Sequence, residues 1–488
     1  MATLSSQEFR VAEDSFGKVL VPKESYYGAQ TARSCMNFNI CSRTDKMPSQ
    51  IIHSMAMIKE VAALINFKSG RLDSKLSGAI VQACREIYQG KHDKEFPLVI
   101  WQTGSGTQTN MNVNEVVSNR ASELIEGSRN SKATVHPNDH VNLGQSSNDI
   151  FPTCMNLSIA IETSWKVLPS LNYLIKVLEE KMNEFMDVIK IGRTHMQDAV
   201  PMSVGQELSG YVSQIQQAVN SIKLQLPLVC HLAVGGTAVG TGLNCCKGFD
   251  EEFCKSLTEL TKTRYASMYE ESPPVVDLIF KPAENKFAAL AGHDALLQLS
   301  GCFNTTATAL MRLANDFCLL SSGPSCGLSE FILPANEPGS SIMPGKVNPT
   351  QCESLRMVCL QIMGNHFTVS MAASQGQLEL NVYKPLIAAK LLHTCELLTD
   401  STRCFADNCV KGLRLNLDQI QEYVKKSLML VTVLTPHIGY DLSAQLVKHA
   451  TKYKKGLRES AIDLNLLSGE KFDEIVKPHE MAFPFDKN

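Results

Sequence analysis

The chain has 488 residues, of which 44% are hydrophobic and 19% charged, a composition typical of a globular protein with a large buried core. The formal net charge of -3 argues against a nucleic-acid surface, and the apolar runs are too short to span a bilayer. A small anionic ligand would therefore need local cations and backbone donors.

The N-terminal segment has neither an apolar core nor an Arg-rich amphipathic pattern, so no export or transit signal is predicted. We therefore expect a cytoplasmic protein, with a mitochondrial form from a longer transcript as the alternative. The 16 cysteines form no C-x-x-C pair, which argues against a metal or iron–sulfur site. We expect no metal site, and buried, reduced thiols.

Residues 9–22 predict a short hairpin around Ser15-Phe16-Gly17, and beyond it the apolar residues recur with the helical period. The segment 283–322 contains no proline, and as one helix it would be about 60 Å long. Such a helix must pack beside others of similar length. Candidates for these are 153–189, 204–228, 349–372 and 385–413. The pattern predicts an all-α protein with a long central helical bundle.

The segments on either side of the bundle are interrupted more often by proline, glycine and asparagine. We therefore predict an N-terminal domain (1–145), a central long-helix bundle (146–418) and a small C-terminal helical domain (419–488). Four polar stretches between the predicted helices are the candidates for a functional site.

The first polar stretch, TGSGTQTNMNVNE (103–115), alternates glycine with hydroxyl residues. Glycine lets backbone N–H groups approach a ligand, and Ser105 and Thr107 add side-chain donors. The second stretch is HPNDHVNLGQSSND (136–149), where Ser146 or the serine after it can cap a helix. A helix N-terminus also binds anions. Purely structural capping is the alternative for both stretches.

The third stretch, GRTHMQDAVPMSVGQE (192–207), surrounds His195 with polar residues that do not suit an apolar core. Such a histidine can transfer protons near neutral pH, although a buried histidine with satisfied hydrogen bonds is the alternative. The fourth, EPGSSIMPGKVNPTQCE (337–353), combines prolines that fix turns with glycines that allow movement. Lys346 adds a positive charge and Asn348 an amide. A merely structural loop is the alternative here.

Within the fourth stretch, GSSIMPGKVNPTQCE resembles the signature loop of the fumarase/aspartase superfamily. The strings TGSGTQTNMNVNE, HPNDHVN, QSSND, GRTHMQDAVP and TPHIGYD resemble the class II fumarase family in the same order, over essentially the whole chain. The resemblance implies a three-domain helical subunit and a homotetramer whose active sites each use loops from three subunits. It also implies the reversible hydration of fumarate to L-malate, a reaction of the tricarboxylic acid cycle, without metal or cofactor. Fumarate, L-malate and further copies of the chain are the expected partners, with no nucleic acid and no membrane.

By the same resemblance, Ser340 is the base that removes the C3 proton, His195 is the second acid/base group and Glu353 orients His195. Lys346 stabilises the Ser340 alkoxide and the aci-carboxylate intermediate. The positions that bind the substrate carboxylates are Ser105, Gly106, Thr107, Ser146, Ser147, Asn148, Thr194, Ser341, Lys346, Val347 and Asn348. A second dicarboxylate site corresponds to His136, Pro137, Asn138 and Asp139. The fourth stretch is then a mobile lid over the substrate.

The chain departs from the family pattern at Leu143-Gly144, where fumarases usually carry Lys-Ser, and at 262–280, which we interpret as an inserted surface loop. Two alternatives remain open, a non-catalytic paralogue of the same fold and an aspartate ammonia-lyase. The ammonia-lyase pattern lacks His195 and the TGSGTQT string. An inactive copy would be free to lose its acid and base, but Ser340 is retained.

Overall fold

The computed structural model describes residues 8–128, 134–268 and 274–483. The chain forms two compact units. Unit 1 comprises Met1–Ser170, Ala218–Ala307 and Leu360–Thr399, and unit 2 comprises Leu171–Gln217, Thr308–Cys359 and Asp400–Asn488. The three-domain division drawn from the sequence stays a prediction.

The predicted N-terminal hairpin is confirmed by two antiparallel strands, β1 (Phe9–Asp14) and β2 (Gly17–Pro22). Asp14 lies opposite Gly17, so the turn contains only two residues. Gly17 follows that turn with a φ of +105°, a left-handed conformation that glycine adopts without strain.

Helices account for most of the described residues. They are α1 (Ala29–Asn37), α2 (Ser49–Lys68), α3 (Ser74–Tyr88), α4 (Thr107–Glu126), α5 (Ser147–Glu162), α6 (Leu168–Glu184), α7 (Val204–Val229), α8 (Phe249–Met268), α9 (Lys286–Ala291), α10 (Asp294–Leu320), α11 (Thr350–Ala373), α12 (Lys384–Phe405), α13 (Leu417–Lys426), α14 (Thr435–Ile438), α15 (Tyr440–Tyr453), α16 (Leu457–Asp463), α17 (Gly469–Ile475) and α18 (Pro478–Met481). The all-α class with long central helices is confirmed.

Short strands and irregular turns connect these helices. The strands are β3 (Ile189–Thr194) with β4 (Gln197–Ser203), β5 (His231–Leu232) with β6 (Lys281–Pro282), and β7 (Phe331–Ile332) with β8 (Arg414–Leu415). Single π-helical turns occur at Pro137–Val141, Thr163–Val167 and Ala406–Val410, and 3-10 turns at Asp93–Glu95 and Leu428–Leu434. The β3–β4 hairpin lies where the sequence predicted only a polar connection between helices.

Two predictions from the sequence are wrong in detail. The segment 283–322 is not one helix, because Gly292 adopts extended backbone between α9 and α10. With 27 residues α10 is about 40 Å long. The segment 262–280 is not a loop throughout, because its first residues, up to Met268, continue α8. Residues 269–273 of that segment lie outside the described residues.

The core of unit 1 is centred on α2, which packs against α3, α5 and α8. Ile51, Met55 and Ile58 of α2 are fully buried, as expected for a helix covered on several sides. Lys59 and Glu60 of the same helix are also buried, which is unusual for charged side chains and requires partners.

Unit 2 contains a second, smaller core formed by the C-terminal helices. Its buried members are Leu430, Leu434, Leu446, Ala450, Leu457, Ala461 and Phe472. Within the same unit, the β3–β4 hairpin packs against α13. Among the helices of the described residues, none is both long enough and apolar enough to cross a membrane.

Candidate active site

The first candidate loop, 103–107, is packed so closely that only glycine fits at two of its positions. A Cβ atom on Gly104 would lie 1.3 Å from the carbonyl oxygen of Val382, and one on Gly106 would lie 2.1 Å from Cδ2 of Phe151. Gly106 also has a φ of +78° and immediately precedes α4. The alternation of glycine with hydroxyl residues therefore has a steric cause.

A chain of hydroxyl groups joins this loop to the second candidate stretch. Oγ of Ser105 lies 2.8 Å from Oγ1 of Thr107, which lies 2.7 Å from Oγ of Ser147. These are ordinary hydrogen-bond distances, and each hydroxyl can rotate to donate to a ligand. Three predicted carboxylate-binding residues therefore lie together in unit 1.

The second stretch enters α5 through a capping box. The backbone N–H of Asn148 donates to Oγ of Ser146 (3.2 Å), and the N–H of Ser146 donates to Oδ1 of Asp149 (3.0 Å). Nδ2 of Asn148 donates to the carbonyl oxygen of Ala238 (2.8 Å). The positive end of the α5 dipole thus lies next to the hydroxyl chain, an arrangement that favours binding of an anion.

Asp149 is a structural residue of this site whose burial was not predicted from the sequence. Its carboxylate is buried and also accepts the N–H of Gly235 (2.9 Å). Burial raises the pKa of Asp149 to about 6, in spite of the N–H groups of Ser146, Thr237 and Gly235 and the charge of Lys59. The backbone donors and that charge are what hold the carboxylate in place.

The burial of Lys59 was also not predicted from the sequence. Its Nζ donates to Oδ1 of Asn142 (2.8 Å) and to Oε1 of Gln145 (3.0 Å), and so fixes the segment that precedes the serines. Burial lowers the pKa of Lys59 to about 7, while Asp149 acts in the opposite direction. The signal available in the sequence was a single lysine within the apolar string IIHSMAMIKEVAAL.

The departure at Leu143-Gly144 has a local structural explanation. Gly144 has a φ of +74°, where a side chain would be strained. The carbonyl oxygen of Leu143 accepts Nδ2 of Asn66 (3.0 Å). Nη1 of Arg71 would lie 3.2 Å from a Cβ on Gly144, so a guanidinium provides a cation beside this turn.

The predicted second dicarboxylate site forms the π-helical turn Pro137–Val141, which packs on α4. Nδ1 of His136 accepts the N–H of Asp139 (3.1 Å) and lies 3.0 Å from its Oδ2. His136, Asn138 and Asp139 are exposed and Pro137 is half-buried. The turn is accessible to a ligand, and its assignment as a binding site stays a prediction.

His195 lies at the tip of the β3–β4 hairpin in unit 2, where it is exposed. Thr194 pairs with Gln197, and the two turn residues, His195 and Met196, have φ of +54° and +63°. Two consecutive left-handed residues are typical of tight two-residue hairpin turns. The turn presents His195 to solvent.

Buried charges anchor the base of this hairpin. Nζ of Lys190 lies 2.7 Å from Oε2 of Glu207 and 2.8 Å from Oε2 of Glu330, and Nη1 of Arg193 lies 2.7 Å from Oε1 of Glu330. Glu330 is fully buried, so its two cationic partners offset the cost of its desolvation. The hairpin is rigid at its base and exposed at its tip.

Ser340 lies in the fourth stretch, where its hydroxyl group receives two backbone donors. The N–H groups of Ile342 and Met343 donate to Oγ of Ser340, at 3.3 and 3.1 Å. Donors aimed at this oxygen would stabilise a negative charge on it. Ser341, Lys346 and the other residues of 341–347 are exposed.

Hydrogen bonds join the beginning of the fourth stretch to its later residues. The N–H of Gly339 donates to the carbonyl oxygen of Lys346 (2.9 Å), and Nδ2 of Asn348 donates to that of Gly339 (2.6 Å). The loop lines a cleft of about 430 Å³ in unit 2. Glu353 is exposed in the first turn of α11. The described residues of this chain show no hydrogen bond or ion pair between Glu353 and His195.

The structure therefore brings only part of the predicted residues together. The hydroxyl chain and the α5 N-terminus form one group in unit 1, whereas the His195 hairpin and the Ser340 loop are separate features of unit 2. Within 8–128, 134–268 and 274–483, no group of three or more His, Cys, Asp and Glu residues is suited to hold a metal ion.

Two family profiles and several relatives identify the class of protein to which the chain belongs. A family profile described as lyase matches residues 17–364, and one described as the fumarase C C-terminus matches residues 430–482. The chain is 83% identical to a protein named fumarate hydratase from Schistosoma mansoni, over 99% of both chains. It is 52% identical to a mitochondrial fumarate hydratase from Homo sapiens, over 98% of this chain and 91% of the relative.

A solved structure agrees with these relatives. The crystal structure of a class II fumarase from Schistosoma mansoni, 83% identical, matches with a TM-score of 0.97 and covers 98% of this chain and 100% of that chain. The protein is thus a member of the lyases. More narrowly, the chain belongs to the class II fumarase family.

The steric requirement at Gly104 leads to a prediction on stability. Gly104→Ala should reduce the free energy of unfolding by about 2 kcal/mol or more, because the added methyl group overlaps the Val382 carbonyl. The Tm should fall accordingly. Gly78→Ala is the matched control, since Gly78 lies in α3 with open space around its Cβ position. It should raise the Tm or leave it unchanged. Equal Tm values for the two variants would contradict the contact.

Proposed function

We propose that the protein adds water reversibly to fumarate, giving L-malate, by acid/base catalysis through an aci-carboxylate intermediate. Membership in the fumarase family supports the reaction. The residue roles are our own proposal, and the pair of N–H groups on Oγ of Ser340 is the observation on which they depend.

In the dehydration direction, malate loses a weakly acidic proton from C3. We assign this proton to Ser340, whose alkoxide is an adequate base only if its charge is stabilised. The two N–H donors provide part of that stabilisation, and Lys346 in the same loop provides a positive charge. When the proton leaves, a second negative charge develops on the adjoining carboxylate, which Lys346 and Asn348 can also bind.

His195 then protonates the departing hydroxyl group at C2, through a bound water. Its position at an exposed turn suits a group that contributes to the active site of another subunit, and the charged base of the hairpin limits its movement. We assign Glu353 to orient and charge-balance His195. Because the two do not meet in one chain, the proposal requires that they meet between subunits.

The substrate carboxylates are held by the hydroxyl chain and by the α5 N-terminus. Ser105, Thr107 and Ser147 are already hydrogen-bonded to one another, so little ordering is needed when a carboxylate binds. Asn148 and the first N–H groups of α5 extend the set of donors. Thr194, Ser341 and Val347 complete the proposed contacts, and the His136 turn is proposed as the second dicarboxylate site.

An exposed apolar stripe on α11 supports association with further copies of the chain, which we propose form a homotetramer with shared active sites. Met357, Leu360, Phe367 and Met371 are spaced by three, seven and four residues, which places them on one helix face, and each is more than half exposed. Leu224 of α7 is 80% exposed. Apolar faces of this extent on long helices are typical of subunit interfaces.

We also propose a cytoplasmic location. All 16 cysteines are free thiols, which fits a reducing compartment. Several relatives are named mitochondrial, so the native protein should be imaged together with a mitochondrial marker. A signal confined to mitochondria would contradict the proposal.

The reaction is tested by the absorbance of fumarate formed from L-malate, with L-aspartate as the control substrate. We expect turnover of malate and none of aspartate, because His195 and the TGSGTQT string distinguish the hydratase pattern from that of aspartate ammonia-lyase. Turnover of aspartate but not of malate would contradict the assignment as a fumarate hydratase. A folded tetramer inactive towards both substrates would favour a non-catalytic paralogue.

Neighbouring serines allow a matched test of the base. Ser340→Ala should lower kcat by at least about 100-fold with little change in malate affinity, because proton abstraction is needed only in the transition state. Ser341→Ala removes an exposed carboxylate-binding hydroxyl from the next position and should mainly raise KM. Both variants are measured across pH. Near-normal turnover by Ser340→Ala would show that another group is the base.

Sharing of sites between subunits is tested by mixing two inactive variants. Tetramers that contain both Ser340→Ala and His195→Asn subunits should recover part of the activity, since some sites then receive Ser340 from one subunit and His195 from another. Homotetramers of each variant are the controls. If the mixed tetramers are as inactive as the controls, both residues come from the same subunit.

A further inference from the structure

A buried ammonium group lies behind the first candidate loop in unit 1. Lys384 is the first residue of α12 and is fully buried. Within the described residues, its Nζ has no hydrogen-bond partner. Its backbone N–H donates to the carbonyl oxygen of Gly104 (3.0 Å), so Lys384 is attached to the loop that carries Ser105 and Thr107.

Such a group costs folding energy. A buried charge without a hydrogen-bonded partner loses its hydration and gains little in return. Burial accordingly lowers the pKa of Lys384 to about 7, although Asp149 acts in the opposite direction. A methionine of similar length would fill the same space at lower cost. The ammonium therefore needs an explanation other than stability.

When both Lys384 and Lys59 are protonated, the titratable groups around Lys384 carry an excess of positive charge. The titratable groups that interact with it are Asp149 and His293. Burial, together with Lys384, lowers the pKa of His293 to about 3, so its imidazole is neutral. Asp149 already receives the backbone N–H groups of Ser146, Thr237 and Gly235 and also interacts with Lys59. Two lysines thus share one carboxylate beneath the substrate loops.

We propose that Lys384 is a specificity-determining residue that favours dianionic substrates by supplying positive charge through space to the site at Ser105, Thr107 and Ser147. It needs no contact with the substrate, because electrostatic interactions in a dry interior extend beyond hydrogen-bond range. The inference rests on the proposed function. The same charge favours the aci-carboxylate, which carries one more negative charge than malate.

A consequence is that binding of a dianion draws in a proton. A negative ligand near a partly deprotonated lysine favours the charged form of that lysine. Succinate is a suitable probe, since it is a dicarboxylate of the same length as fumarate and has no double bond to hydrate. Proton uptake on its binding reports on charge and not on packing.

The test compares Lys384→Met with wild type. We expect kcat/KM for malate to fall and the Ki of succinate to rise, each roughly tenfold, while the Tm rises by about 2 °C. Lys59→Met is the matched control, because Nζ of Lys59 has two acceptors that the variant leaves unpaired. That variant should lower the Tm.

Proton uptake is measured by titration calorimetry with succinate near pH 7.5, in two buffers that differ in ionisation enthalpy. Lys384→Met should take up fewer protons than wild type. If kcat/KM and the Ki stay within about twofold of wild type, or if the variant is destabilised or fails to fold, the ammonium is structural and the inference is overturned. A wild-type protein that binds succinate but hydrates no fumarate would instead contradict the proposed function alone.

Discussion

The buried carboxylate of Asp149 is the group on which the candidate binding surface of unit 1 depends. It accepts the N–H of Ser146 at the start of α5 and the N–H of Gly235 from a distant part of the chain. These bonds set where α5 begins, and with it the positions of Ser147 and Asn148. Because the carboxylate has lost its hydration, each of these donors matters more than it would at the surface.

The candidate features of unit 1 and those of unit 2 are built on different physical principles. In unit 1, glycines without space for a side chain, linked hydroxyl groups and a capped helix form a surface whose donors are held in place by the fold. In unit 2, the Ser340 loop is exposed and held mainly by its own hydrogen bonds. A loop held in this way can close over a substrate and exclude water, which is the role that we propose for the Ser340 loop.

Burial of lysine recurs throughout the molecule. Lys59, Lys190 and Lys384 are each at most 1% exposed, yet their surroundings differ. Lys190 has two carboxylates, Lys59 has two amide oxygens and Lys384 has no hydrogen-bond partner among the described residues. Lys190 anchors the β3–β4 hairpin, and Lys59 anchors the turn at Asn142 and Gln145. The third departs from what stability alone would select, and such departures are found most often at functional sites.

The sequence by itself determined the helical class, the N-terminal hairpin, the four polar stretches and the family, because periodicity, turn residues and motif strings are local. The prediction of one helix over 283–322 is wrong, because the extended backbone at Gly292 interrupts the helix although the segment contains no proline. Only the tertiary structure showed that Ser147 meets Thr107, that Val382 excludes a side chain at Gly104, and that Lys59, Asp149 and Lys384 are buried together. These residues interact with partners that lie 40 or more positions away in the sequence. Burial of a charge depends on what packs over it, and no local pattern contains that information.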